Sequence, residues 1–248
     1  VRVVSLHADV LLATSAIWQT NCVIVRGRVE PEDAGNPVKV RVAGEPDPGG
    51  ETFVIDSSIL PEELDALQEL LDRAGFPPPS GLLATHGDWD HLLGRLAFPQ
   101  AALGCAASTV ERLSADPGAA QRELRAFDRQ FYVERPRPLM LGSIQALEVP
   151  GHCEIGEHEL QLYPADGHTD DGMFIWLDWA SVLVAGDYLS TVEPPQVEGA
   201  PDAYLATLER LRPLVESAEH VVPGHGPVLD SERALRLLEE NRALVGGG

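Results

Sequence analysis

The chain has 248 residues, a formal net charge of −21, 44% hydrophobic residues and a single lysine, Lys39. That length suffices for a well-buried core and for one domain over 1–248, while the charge sets the surface against nucleic acid and anionic membranes as partners. There is no run of about 18 apolar residues, and residues 1–20 lack the basic-then-apolar order of a signal peptide. Cys22, Cys105 and Cys153 lie far apart without CxxC spacing, which predicts reduced, buried thiols and a cytoplasmic protein.

In chain order, residues 1–4 and 22–25 read as strands, with Ile17-Trp18 between them. Residues 29–50 are rich in Pro, Gly, Asp and Glu and read as a hairpin loop or excursion, with a short strand over 38–42. A strand over 52–55 ends at Asp56. The spacing then predicts a helix over 61–74: Pro61 suits its first turn, Leu64, Leu67 and Leu71 form one face, and Gly75 stops it. Prolines 77–79 lead into a strand ending at Ala84. Residues 101–106 read as a strand and 108–113 as a short helix. A helix over 117–134 carries Ala120, Leu124, Phe127 and Phe131 on one stripe and is either a layer helix or a lid. Strands follow over 144–149, 159–163, 173–179 and 182–185. A helix over 201–211 is ended or kinked by Pro213; a strand over 220–222 and a helix over 231–244 close the chain. This order suggests two similar halves, with two sheets face to face and helices outside.

Thr85-His86-Gly87-Asp88-Trp89-Asp90-His91 places four metal-capable side chains within six residues, where a strand should end and a helix begin. Repulsion between Asp88 and Asp90 calls for positive charge between them, and a divalent cation is the simplest source. Three further candidates each follow an apolar run and adjoin glycine: His168 in Asp166-Gly167-His168, Asp187 after Gly186, and His225 in Gly224-His225-Gly226. His86 and Asp88, two apart in extended chain, point the same way. The set divides into His86, Asp88 and His168 around one ion and Asp90, His91 and His225 around another, with Asp187 bridging. Imidazole and carboxylate suit zinc, iron or manganese. Two such ions about 3.5–4 Å apart would hold a water and make it hydroxide near neutral pH. Trp89 is expected in packing or a pocket wall, Tyr188 as a candidate hydrogen-bond donor to a substrate oxyanion, and Asp170 and Asp171 as solvated turn residues at the mouth. His7, His152, His158 and His220 belong to no motif.

These residues resemble the metallo-β-lactamase fold superfamily, and most of all its glyoxalase II-type hydrolase branch. His86-x-Asp88-x-Asp90-His91 matches the family's HxHxDH motif, and His168, Asp187 and His225 match its later His, bridging Asp and final His. The resemblance implies an αββα sandwich, an α/β fold of two mixed sheets with helices on the outer faces. It also implies a supporting role for Asp56, two divalent ions (zinc first, manganese or iron otherwise), and hydrolysis of a small ester, thioester or lactone. Asp90 could also pass a proton to the leaving group. Asp88 departs from the family by standing where histidine is usual; as a ligand it adds a negative charge and implies a weaker Lewis acid and a harder ion, and the alternative is that Asp88 does not bind and the first sub-site is weak or empty. The alternatives are a mononuclear-iron oxidoreductase of the persulfide dioxygenase type and a non-catalytic member of the fold.

Overall fold

The structure, a computed structural model, describes residues 1–28 and 50–247; the strand expected over 38–42 lies outside them. One mixed sheet holds, in spatial order, β1 (Arg2–His7), β2 (Val10–Thr14), β3 (Asn21–Gly27), β4 (Glu51–Ile55), β5 (Gly81–Leu83), β6 (Ala102–Ala106) and β7 (Ile144–Leu147). Pairing is antiparallel from β1 to β4 and parallel from β4 to β7. The second sheet holds β8 (Gly151–Ile155), β9 (His158–Pro164), β10 (Met173–Leu177), β11 (Val182–Val184) and β12 (His220–Val222), antiparallel except for β11 beside β12.

The period-2 alternation of the strands explains the layering. In β3, Val23 and Val25 face the second sheet, whose Leu162, Ile175 and Val184 share that core, while Cys22 and Ile24 face the helices. In β10, Met173, Ile175 and Leu177 face inward, and Phe174 and Trp176 face the other helical layer. Helices α1 (Pro61–Ala74), α2 (Gly94–Ala97), α3 (Ala107–Ala115) and α4 (Ala119–Phe131) cover the first sheet, and α5 (Pro201–Ser217) and α6 (Ser231–Gly246) the second. The result is an αββα sandwich. Each aliphatic side chain fully buried between these layers contributes roughly 1.5–3 kcal/mol.

Helix α1 has the bounds its sequence predicts. Pro61 opens it, Gly75 closes it in the left-handed region at φ 68°, and Leu64, Leu67 and Leu71 are buried. The Glu63 carboxylate accepts from the Leu60 amide at 3.1 Å, completing the N-terminal cap. It also accepts from the Ser15 hydroxyl at 2.6 Å and the Ala16 amide at 2.7 Å, tying the β2–β3 connection to the helix.

Several elements differ from expectation. β2 went unpredicted because Val10, Leu11, Leu12 and Ala13 are buried on both faces and so show no alternation. The run expected over 144–149 is β7, which ends at Leu147, and β8 over Gly151–Ile155 went unpredicted. Helix α5 continues past Pro213 to Ser217. Helix α4 is a layer helix: Ala120, Leu124 and Phe127 join the core, while Phe131, at the last turn, is half exposed. Among the described residues the sheets have seven and five strands. Among the described residues no helix is long and apolar enough to cross a membrane.

Candidate metal centre

Strand ends from both sheets meet at one rim. β5 runs into Thr85 and His86, and a single 3-10 turn over Trp89–His91 turns Asp90 and His91 toward the same point. From the second sheet, the ends of β9, β11 and β12 lead to His168, Asp187 and His225. Gly224 is required for close approach rather than for its dihedral angles: a Cβ there would lie 2.0 Å from Asp187 Oδ1 and 3.1 Å from His91 Cε1. The neighbouring Gly186 turns the chain at φ 54°.

All seven residues singled out in the sequence converge. Asp88 Oδ2 lies 3.4 Å from His86 Nε2 and 3.6 Å from His168 Nε2. Asp90 Oδ2 lies 3.3 Å from His225 Nε2 and 3.7 Å from His91 Nε2. Asp187 stands between the groups: Oδ2 is 3.6 Å from His168, 3.8 Å from His86 and 3.4 Å from His225, and Oδ1 is 3.2 Å from His91. His86, Asp88 and His168 form one set able to hold a cation; Asp90, His91 and His225 form another. Donors bound at about 2.0–2.2 Å in a tetrahedron sit about 3.3–3.6 Å apart, so the spacing fits divalent ions.

The outer edge of each imidazole shows why the Nε2 atoms face inward. His86 Nδ1 is 3.1 Å from Thr85 Oγ1, which donates onward to Asp56 Oδ2 at 2.9 Å. His225 Nδ1 is 3.1 Å from Thr20 Oγ1, which donates to the Ile17 carbonyl. His168 Nδ1 donates to the Gln196 carbonyl at 2.9 Å, and His91 Nδ1 is 3.1 Å from Asp56 Oδ2. With Nδ1 carrying the proton, each Nε2 presents a lone pair to the rim. His86, His91 and His168 Nε2 and Asp187 Oδ1 are buried and make no well-formed hydrogen bond among the described residues. Orphaned donor atoms this deep, all aimed at one point, fit a cation.

The charges show the mutual dependence of the set. Burial works against the ionised imidazole, yet the carboxylates prevail: Asp88 and Asp187 raise His168 to about 8, and Asp187 and Asp90 raise His225 to about 10. Burial likewise opposes ionisation of Asp187 and Asp88. His91 and His225 hold Asp187 well below the usual carboxylate range, and His168, His86 and Arg112 do the same for Asp88.

Other residues take different places from those expected. Tyr188 does not point its hydroxyl at the rim; it accepts from the Gly167 and His168 amides at 2.8 and 2.6 Å and faces the Ala165 carbonyl at 3.3 Å, so it fixes the His168 turn. Asp171 is not a solvated turn residue: it is 2% exposed, accepts from the Gly87 amide at 2.9 Å and pairs with Arg112 at 2.8 Å. Asp56 accepts from the Thr85 amide and hydroxyl and lies beside His91, and Trp89 packs against Trp18 and Phe127. Sequence reasoning missed Arg112, Thr20, Thr85 and Glu193, the last grouped with Asp187 and His225. Thr85 sits inside the motif between Asp56 and His86 and was findable there; Arg112 and Glu193 follow no spacing rule.

A family model described as "Metallo-beta-lactamase superfamily" matches residues 42–243. A "Metallo-beta-lactamase type 2" of Bacillus sp. (strain 170) is 31% identical over 104 residues, 40% of this chain and 39% of that protein. The aligned part thus spans about two fifths of that curated relative. Among solved structures, a metallo-beta-lactamase family protein of Thermus thermophilus superposes with TM-score 0.67 at 20% identity, covering 96% of this chain and 81% of that one. The sec-alkylsulfatase Pisa1 of Pseudomonas sp. superposes with TM-score 0.69 at 12% identity, covering 98% and 41%. These two likenesses concern the fold.

Proposed function

Because the chain belongs to the metallo-beta-lactamase superfamily, we propose that it is a metal-dependent hydrolase of small carbonyl substrates with its centre at the rim described above. The observation that carries this reading is the set of buried Nε2 atoms and carboxylate oxygens at tetrahedral-edge spacing, with a protein oxygen within 3.1 Å of each imidazole Nδ1. His86, Asp88 and His168 would hold one divalent ion and Asp90, His91 and His225 a second, with Asp187 shared. When bound, such ions supply Lewis acidity toward a carbonyl oxygen and a water acidic enough to ionise near neutral pH.

The protein's own residues do the rest. Asp56, through Thr85 and directly at His91, keeps two imidazoles in the donor tautomer. Tyr188 and the Gln196 carbonyl orient His168. Asp90, beside His225, would take up the proton lost by the attacking water and pass it to the departing alkoxide or thiolate. Trp18, beside His225, and Trp89, packed against Trp18, would offer an apolar wall to an acyl group. The motif order supports a small ester or thioester of the glyoxalase II type; likeness to a "Metallo-beta-lactamase type 2" adds a β-lactam to the candidates.

The test is elemental analysis of purified protein beside a panel of thioester, lactone, aryl ester and β-lactam. The expected outcome is about two zinc ions per chain, with hydrolysis lost on chelation and restored by zinc. Metal-loaded protein inert toward the whole panel would refute it. A second reading has one specific support: His86, Asp88 and His168 are two imidazoles and one carboxylate, the donor set of mononuclear iron oxygenases. About one iron per chain with oxygen uptake would favour it.

A further inference from the structure

Asp88 is the odd member of the cage, a two-oxygen anionic donor where the motif's usual imidazole offers one neutral nitrogen. Its surroundings bear on that difference. The Arg112 guanidinium, on α3, takes Asp88 Oδ1 at 2.7 Å, and only Oδ2 is left facing His86 and His168. A second arm of the same guanidinium donates to Asp171 Oδ1 at 2.8 Å. Asp171 is itself immobilised: it is buried, and its other oxygen accepts from the Gly87 amide. The guanidinium is therefore aimed by Asp171, and Asp88 is aimed by the guanidinium. Gly87, whose amide belongs to the Asp171 end of the chain of contacts, lies between His86 and Asp88, so both ends of the network are anchored in the motif.

We infer that Arg112 converts Asp88 into a one-oxygen donor of reduced charge, so that the first sub-site works as an imidazole-like site suited to zinc. The inference rests on reading His86, Asp88 and His168 as a metal sub-site. Arg112 is a positioning residue, acting only through Asp88. A fork that binds two carboxylates at fixed angles is a task for arginine, since the lysine ammonium is a point charge without that plane. The consequence is opposite to that of an unpaired carboxylate. Freed of Arg112, Asp88 could offer both oxygens, raising the coordination number and favouring harder, oxygen-preferring ions such as manganese.

The test uses the full chain, stripped of metal and titrated with zinc and with manganese under chelator competition, and separately with cobalt(II), whose visible absorption weakens as coordination rises above four. In Arg112→Gln the preference for zinc over manganese at the first sub-site should fall about tenfold, with weaker cobalt absorption. Arg112→Lys should show a smaller shift in the same direction, and it serves alone if the glutamine variant does not fold. In an Asp88→Ala background, removing Arg112 should change the preference by less than about twofold. Two ions bound with the same preference in every variant, or an equal shift with and without Asp88, would overturn the inference and leave the metal centre standing. Wild-type protein that binds none of these ions would overturn both.

Discussion

His168 and His225 carry their protons more tightly in the folded chain than free imidazole does, at about 8 and about 10 against an ordinary value of 6.5. The sign of the stability effect follows. Their stabilisation of the metal-free fold is complete below about pH 6.5 and is lost as pH rises through about 8 and then about 10. Cation binding requires the same nitrogens unprotonated and so strengthens over that interval. Metal-stripped protein should therefore show a falling Tm from about pH 6.5 to about 10, and zinc-loaded protein should not; parallel thermal scans with and without chelator check it. The seven candidate donors, which the structure brings together, were legible in the sequence because metal chemistry restricts residue type and spacing, and strand ends beside glycine marked where they turn. Their supports were not. Thr20 meets His225 across 205 positions of sequence, and Arg112 reaches Asp88 from a helix whose own pattern reports only packing.

At the scale of elements, one carboxylate joins the N-terminal hairpin to the first helix. Glu63 accepts from Ser15, Ala16 and Leu60, and the loop it holds leads through Trp18 to Thr20, the partner of His225. Glu63→Ala would leave three donors without their acceptor, at a cost of about 2–4 kcal/mol. Urea unfolding should show it as a lower midpoint with an unchanged slope, and Glu63→Gln should lose less. Helix α1 was readable to the residue because Pro61 and Gly75 act locally, whatever the rest of the chain does. β2 was hidden because burial on both faces erases periodicity, and the end of α5 was misplaced because packing of Leu211 and Val215 against α6 carries the helix through Pro213. Local chemistry was visible; tertiary override was not.

Across the whole molecule, the formal net charge of −21 makes the average field negative, and exposed Asp170 and Glu198 line a cleft with Arg112 and Asp171 beside the rim. Such a field slows the approach of anions and speeds that of cations, and salt shortens its reach from about 30 Å at 0.01 M to about 10 Å at 0.1 M. Raising ionic strength over that range should increase kcat/KM severalfold for an anionic thioester and lower it for a cationic ester, with a neutral one little changed. Paired substrates differing only in charge make the comparison. The division into two helix-covered sheets could be read from strand order, whereas the seven-to-five split among the described residues depended on strands that carry no signature of their own.

The candidate donors at the rim are drawn from both β-layers, four from the first and three from the second, while beneath them the layers meet through aliphatic side chains. A cation seated there would be a clasp as well as a reagent, fastening two halves of the molecule at the edge where oil no longer joins them. Chemistry and cohesion would then be written in the same seven side chains, and neither could drift without the other.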